Sequence, residues 1–233
     1  MFPAIIKAFG QLSDPATRRI LWKCLIATAL LFAVLLVGVE WALAKSHLFN
    51  WAVLDWVADI LGGVGAVIVA LLLFPAAMLL VLGFFLEDVA ALVEARHYPG
   101  LPPPRAQGLA EVLRDSLRFA VVAIGLNLLA LPFVVALTFL PPFNLLVFYA
   151  LNGYLLGREY FELVALRRLP SHEARAVRQA FAGRIFLAGA AITFLSTVPL
   201  ANLLTPVVAT AFMVHMVESM RGAVLATRDS ATK

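Results

Sequence analysis

The sequence holds one cysteine, Cys24, and only 14% of its 233 residues are charged. A single thiol builds neither a disulfide framework nor a cysteine metal site, and Cys24 lies in an apolar run where packing is its expected role. Soluble domains carry about 25% charged residues, so this scarcity of charge excludes an ordinary soluble domain. The four histidines, His47, His97, His172 and His215, are dispersed at loops and helix ends, which does not suit a metal site. No glycine-rich phosphate loop, Gly-x-Ser-x-Gly, His-Glu-x-x-His or paired intramembrane aspartates occur. ATP-driven transport by this chain and the usual serine, zinc and aspartyl enzyme chemistries therefore lack their residues, and no cofactor is expected. Ion coupling needs ionisable groups deep in apolar segments; Glu40 comes nearest and lies close to a segment end.

What is abundant is apolar surface. Hydrophobic residues make up 63% of the chain and the mean hydropathy is +0.95, the composition of a membrane protein. A net charge of +4 and a pI near 9.6 could signal nucleic acid in a soluble chain. In an apolar one, the excess of Lys and Arg on one membrane face is the simpler cause, so no nucleic-acid partner is expected. Arg18, Arg19 and Lys23 before the run from Cys24 to Val39, followed by Ala42, Leu43 and Ala44, have the look of a twin-arginine leader. The chain downstream is too apolar for export, so this stretch is expected to be a retained first membrane helix.

About 20 residues at 1.5 Å each cross roughly 30 Å of hydrocarbon. The expected fold is all-α: a single membrane domain over residues 1–233, with two long transmembrane helices and two re-entrant, half-penetrating helical hairpins. The transmembrane helices are placed at 20–45 and 60–97, the second extending into the cytoplasm. The hairpins are placed at 119–157 and 185–217, with a basic amphipathic cytoplasmic segment at 158–184. Three of the four hairpin arms have only about 14 to 15 apolar residues, near 22 Å. Four short, tilted crossings in thinned lipid are the alternative. Each pair turns at a Pro-x-x-Asn-Leu-Leu knuckle, at Pro141 to Leu146 and at Pro199 to Leu204. Proline stops the incoming helix and Asn144 or Asn202 is expected to cap the outgoing one.

With this topology every lysine and arginine except Lys45 falls on one face. The positive-inside rule then puts both termini in the cytoplasm, and it serves hairpins and full crossings equally. Trp41, Trp51 and Trp56 flank the acidic external turn, where an aromatic belt belongs.

Three stretches carry a family likeness. They are Leu12-Ser13-Asp14-Pro15-Ala16-Thr17-Arg18-Arg19, Val93-Glu94-Ala95-Arg96, and Thr197-Val198-Pro199-Leu200-Ala201-Asn202-Leu203-Leu204-Thr205-Pro206. With their spacing, they resemble the CysZ family of bacterial sulfate permeases, from about Ile6 to Glu218. The resemblance implies a homo-oligomeric inner-membrane protein that takes up sulfate to supply cysteine synthesis. It also implies a sulfate site at a Gly-Leu-Arg type motif before the first helix, which Ala16, Thr17 and Arg18 match here, with Arg19 following. Alanine stands where that motif has the glycine that lets backbone approach an anion.

The same residues can be weighed without the family. Pro15 is a natural first helical residue, which makes Asp14 the cap and leaves amides and two guanidinium groups around a positive helix end. Thr17, Arg18 and Arg19 are thus the candidate sulfate ligands. The competing reading is lipid-headgroup anchoring. Asn144 and Asn202 are candidate pore or knuckle residues, because re-entrant helices aim positive ends into the membrane; plain capping is the alternative. Glu94, Arg96 and Arg158 are candidates for gating or an intersubunit salt bridge, against an ordinary solvated charged face. The rival to a sulfate permease is a non-conducting scaffold or regulatory protein that binds lipid or a partner.

Overall fold

The computed structural model describes residues 2–45, 77–78, 81–137, 139–199 and 201–231, and all regular structure among them is helical. The helices are α1 (Phe2–Gln11), α2 (Pro15–Lys45), α3 (Leu86–His97), α4 (Leu109–Ala136), α5 (Pro141–Ala165), α6 (Ser171–Ala180), α7 (Ala182–Thr197) and α8 (Ala201–Ala231). The chain forms two compact units, Pro15–Phe85 and Met1–Asp14 with Leu86–Lys233.

In the smaller unit, α2 takes up the whole first apolar run. Cys24 is buried and its carbonyl accepts a hydrogen bond from the Thr28 hydroxyl at 2.7 Å, which satisfies a polar group without leaving the helix. Most of the expected second transmembrane helix, residues 60–76, lies outside the described residues. Its end is helical at 81–83 and then turns, the amides of Phe84 and Phe85 donating to the carbonyls of Val81 and Leu82. Helix α3 starts afresh at Leu86. The restart follows Gly83, a poor helix former, and places Glu87 and Asp88 in a first turn, where anions are favoured.

The larger unit is built around α8. Every residue from Val207 to Val217 is buried, the mark of a helix wrapped on all sides, and α1, α3, α5 and α7 pack against it. The tightest contact is between α5 and α7. Gly153 and Gly157, one turn apart on α5, face Gly189 on α7, where an added Cβ would stand 1.9 Å from the Gly153 carbonyl oxygen. Small residues allow such close approach between membrane helices. By contrast α4 packs on α5 and has no buried residue.

Two stretches among the described residues are long and apolar enough to cross a membrane, Leu109–Ala136 and Ala201–Val224. A third, α6 with α7, would qualify as a pair but bends by 88°. The helices outrun the apolar arms read from sequence. At 1.5 Å per residue α4 and α5 are about 42 and 38 Å long, whereas α7 is about 24 Å. The extra length is polar: α4 begins at Leu109, ten residues before the arm predicted at Phe119. A charged, helix-favouring stretch carries no signal that stops a helix, so apolarity marks the membrane portion and not the helix itself.

The knuckles also shift. Leu140, not Asn144, is the N-cap of α5, and Pro141 and Pro142 fill its first positions. Proline is favoured there because its φ is preset and its missing N–H would have no partner anyway. Asn144 lies one turn in, its amide donating to the Leu140 carbonyl at 3.3 Å. Asn202 is the second residue of α8, its amide donating to the Val198 carbonyl at 3.0 Å.

Candidate functional site

The three groups of candidate residues occupy different places. At the start of α2, Pro15 is the first helical residue, Thr17 is buried, and Arg18 and Arg19 are exposed. Among the described residues neither arginine has an ion-pair partner. Asp14, whose charge competes for this helix end, is engaged by Arg96, Nη1 to Oδ2 at 2.5 Å. Within the larger unit the pair ties the turn after α1 to α3.

Glu94 and Arg158, expected on a charged face, are both buried. Glu94, Arg96 and Arg158 pair with separate partners. The Glu94 carboxylate accepts from Arg168 Nη2 at 2.6 Å and Nε at 3.3 Å, and from Arg167 Nη2 at 3.3 Å. Arg168 also donates to the Pro102 carbonyl, and the Arg105 amide donates to the Arg167 carbonyl at 2.8 Å. The proline-rich connection is thus pinned to the α5–α6 turn. Arg158 Nε donates to Glu162 Oε1 at 2.8 Å, and its guanidinium lies 5.3 Å over the Phe119 ring.

Sequence reasoning missed Arg167 and Arg168 as partners of Glu94. It also missed a second knot in which Arg105 grips Glu111 at 2.7 and 2.9 Å. The Ser171 hydroxyl lies 2.8 Å from that carboxylate and 2.5 Å from Asp115. A hydroxyl has one proton, so it serves one of these two carboxylates at a time. Near the end of α3, the Tyr98 hydroxyl lies 2.9 Å from His215 Nδ1, and the rings of His97 and His215 meet edge to face at 4.8 Å. Burial, with Arg96 and Lys7 adding to it, pushes the His97 imidazole below the ordinary histidine value, so it stays neutral at pH 7.

Most neutral donors of the membrane arms are spoken for. Thr193, Ser196, Thr197 and Thr205 donate to carbonyls of their own helices at 2.7 to 3.1 Å, as does the Asn152 amide at 2.8 Å. Since the one proton of Thr197 goes to Phe194, Tyr149 is the donor in its 3.3 Å link to Thr197. Asn144 and Asn202 differ: among the described residues neither side chain makes a hydrogen bond. Thr138 lies outside the described residues. Among the described residues, the groups without a hydrogen-bond or ion-pair partner include the side-chain amides of Asn144 and Asn202 near the knuckles, the buried Thr210 hydroxyl of α8, and the guanidinium groups of Arg18, Arg19, Arg114 and Arg118. Among the described residues no group of three or more His, Cys, Asp or Glu side chains is arranged to hold a metal ion.

A family model described as sulfate transporter CysZ/etoposide-induced protein 2.4 matches residues 4–206. No curated protein matches the chain.

Proposed function

Because the chain belongs to the sulfate transporter CysZ/etoposide-induced protein 2.4 family, we propose that it is a multi-pass permease that admits sulfate across the bacterial inner membrane for cysteine synthesis. It works as a channel-like homo-oligomer without enzymatic activity, both termini in the cytoplasm. Thr17, Arg18 and Arg19 receive the anion. The α5 and α8 knuckles are the blunt tips of re-entrant hairpins and offer Asn144 and Asn202 to it within the membrane. Glu94, Arg96 and Arg158 hold the cytoplasmic connections whose movement would gate the path.

The observation that carries this reading is the pair of exposed guanidinium groups at the fourth and fifth positions of α2, which have no ion-pair partner among the described residues. Two guanidinium groups at a helix N-terminus suit a tetrahedral dianion through charge-assisted hydrogen bonds and the helix dipole. The test is thermal unfolding of the detergent-purified protein with and without sulfate. Sulfate raises the melting temperature of the wild type, by mass action on the folded state. Arg18→Ala with Arg19→Ala, folded to the same helix content, loses most of that rise. An equal rise in both proteins would remove the arginines from the site.

A further inference from the structure

Helix α6 is amphipathic and α7 apolar, and the chain turns by 88° between them. Such an elbow belongs where an interfacial helix gives way to one entering hydrocarbon. A cavity of about 350 Å³ opens there. Its wall is mostly apolar, with Ile185 and Phe186 of α7 part of it, and Tyr154 and Arg158 of α5 and Arg178 and Gln179 of α6 bring polar groups to its edge.

Three observations concern its charge. Arg158 Nε takes the near hydrogen bond to Glu162 Oε1 at 2.8 Å, while Arg178 Nε stands 3.6 Å from the same oxygen, outside hydrogen-bond range. Two guanidinium groups thus share one carboxylate, and Arg178 Nε is a buried nitrogen with no hydrogen-bond partner. Gly183, in the first turn of α7, also lines the cavity, and no side chain caps that helix: the N-cap is Phe181. Surplus guanidinium charge beside an uncapped N-terminus calls for an anion. The apolar wall calls for a chain, which an inorganic oxyanion lacks.

We propose that this elbow binds an anionic phospholipid, its headgroup phosphate against Arg178 and the first turn of α7, its acyl chain along Ile185 and Phe186. Basic pockets at the membrane surface recognise lipid phosphates by the same chemistry. The site uses neither Arg18 nor Arg19 and stands whether or not the protein conducts sulfate.

The test titrates the purified full-length protein with phosphatidylglycerol, with phosphatidylcholine of the same chains, and with inorganic phosphate, counting bound lipid by native mass spectrometry and following thermal unfolding. Phosphatidylglycerol binds in preference to phosphatidylcholine, and inorganic phosphate gives no comparable stabilisation. Arg178→Gln weakens phosphatidylglycerol binding about tenfold, the loss of one charge-assisted contact. Gly183→Leu does the same by filling the cavity; a Cβ at Gly183 meets open space, so this variant keeps the fold and decides the question if Arg178→Gln does not fold. Equal binding of both lipids, full stabilisation by inorganic phosphate, or phosphatidylglycerol binding unchanged in the folded variants overturns the proposal.

Discussion

Glu94 holds two buried arginines, so its carboxylate matters more than its single charge implies. Removing it leaves Arg167 and Arg168 without their counter-charge in a place poorly reached by water. Breaking a buried pair from one side costs about 3 to 5 kcal/mol. Glu94→Ala is therefore expected to lower unfolding stability by about that amount in a denaturant titration, whereas Arg96→Ala, at an exposed pair, costs about 1 kcal/mol or less. Local chemistry at this scale was partly legible. Pro15 announced the start of α2 and left Arg18 and Arg19 at its fourth and fifth positions, because proline preference is a property of one residue. The partners of Glu94 were not legible, since they lie 73 and 74 positions away and any of the basic residues in the 158–184 segment fits equally well by charge.

Among the elements, the pairing of α5 with α7 depends on three residues that have no side chain. At Gly189 a methyl group would meet the backbone of Gly153 and Gly157 well inside contact distance, so the helices must part. Gly189→Ala is expected to destabilise by about 3 kcal/mol or more through overpacking. Gly183→Ala, on the same helix but facing open space, is expected to be neutral or stabilising by up to about 1 kcal/mol. Thermal unfolding of the two variants side by side checks this. The glycines carried no weight in the sequence reading, because glycine is common in membrane helices and its spacing alone names no partner.

Apolarity did reveal the arms and prolines the turns between them. It did not reveal the helix ends, since the polar continuations of α4, α5 and α8 break no local rule. The re-entrant proposal has its own test at this scale. In a Cys24→Ser background, a cysteine at Phe143 or Ala201 is expected to resist a membrane-impermeant thiol reagent applied from outside, while rapid external labelling at both positions would mean complete crossings.

At the scale of the whole molecule, the distribution of charge and the fate of the polar groups bear on the same question. Lysine and arginine gather on one expected face, and in the larger unit many of them are bound up in ion pairs that fasten connections. Several hydroxyls of the arms bond within their own helices, whereas Tyr149 bonds to Thr197 of another helix and the buried Thr210 hydroxyl has no hydrogen-bond partner among the described residues. Candidates for an anion among the described residues include Arg18 and Arg19 in one unit and, in the other, Arg178 and the side-chain amides of Asn144 and Asn202. Family membership was readable from the anchors around Asp14, Glu94 and Pro199 because those are short local strings. Packing around α8 was not, because a helix buried on every side and one bathed in lipid have the same composition. Sulfate flux into sealed proteoliposomes tests the central claim most directly. The wild type is expected to carry labelled sulfate well above empty vesicles, and Arg18→Ala with Arg19→Ala to slow it about tenfold or more. Uptake by correctly folded wild-type protein no faster than by empty vesicles would contradict the account.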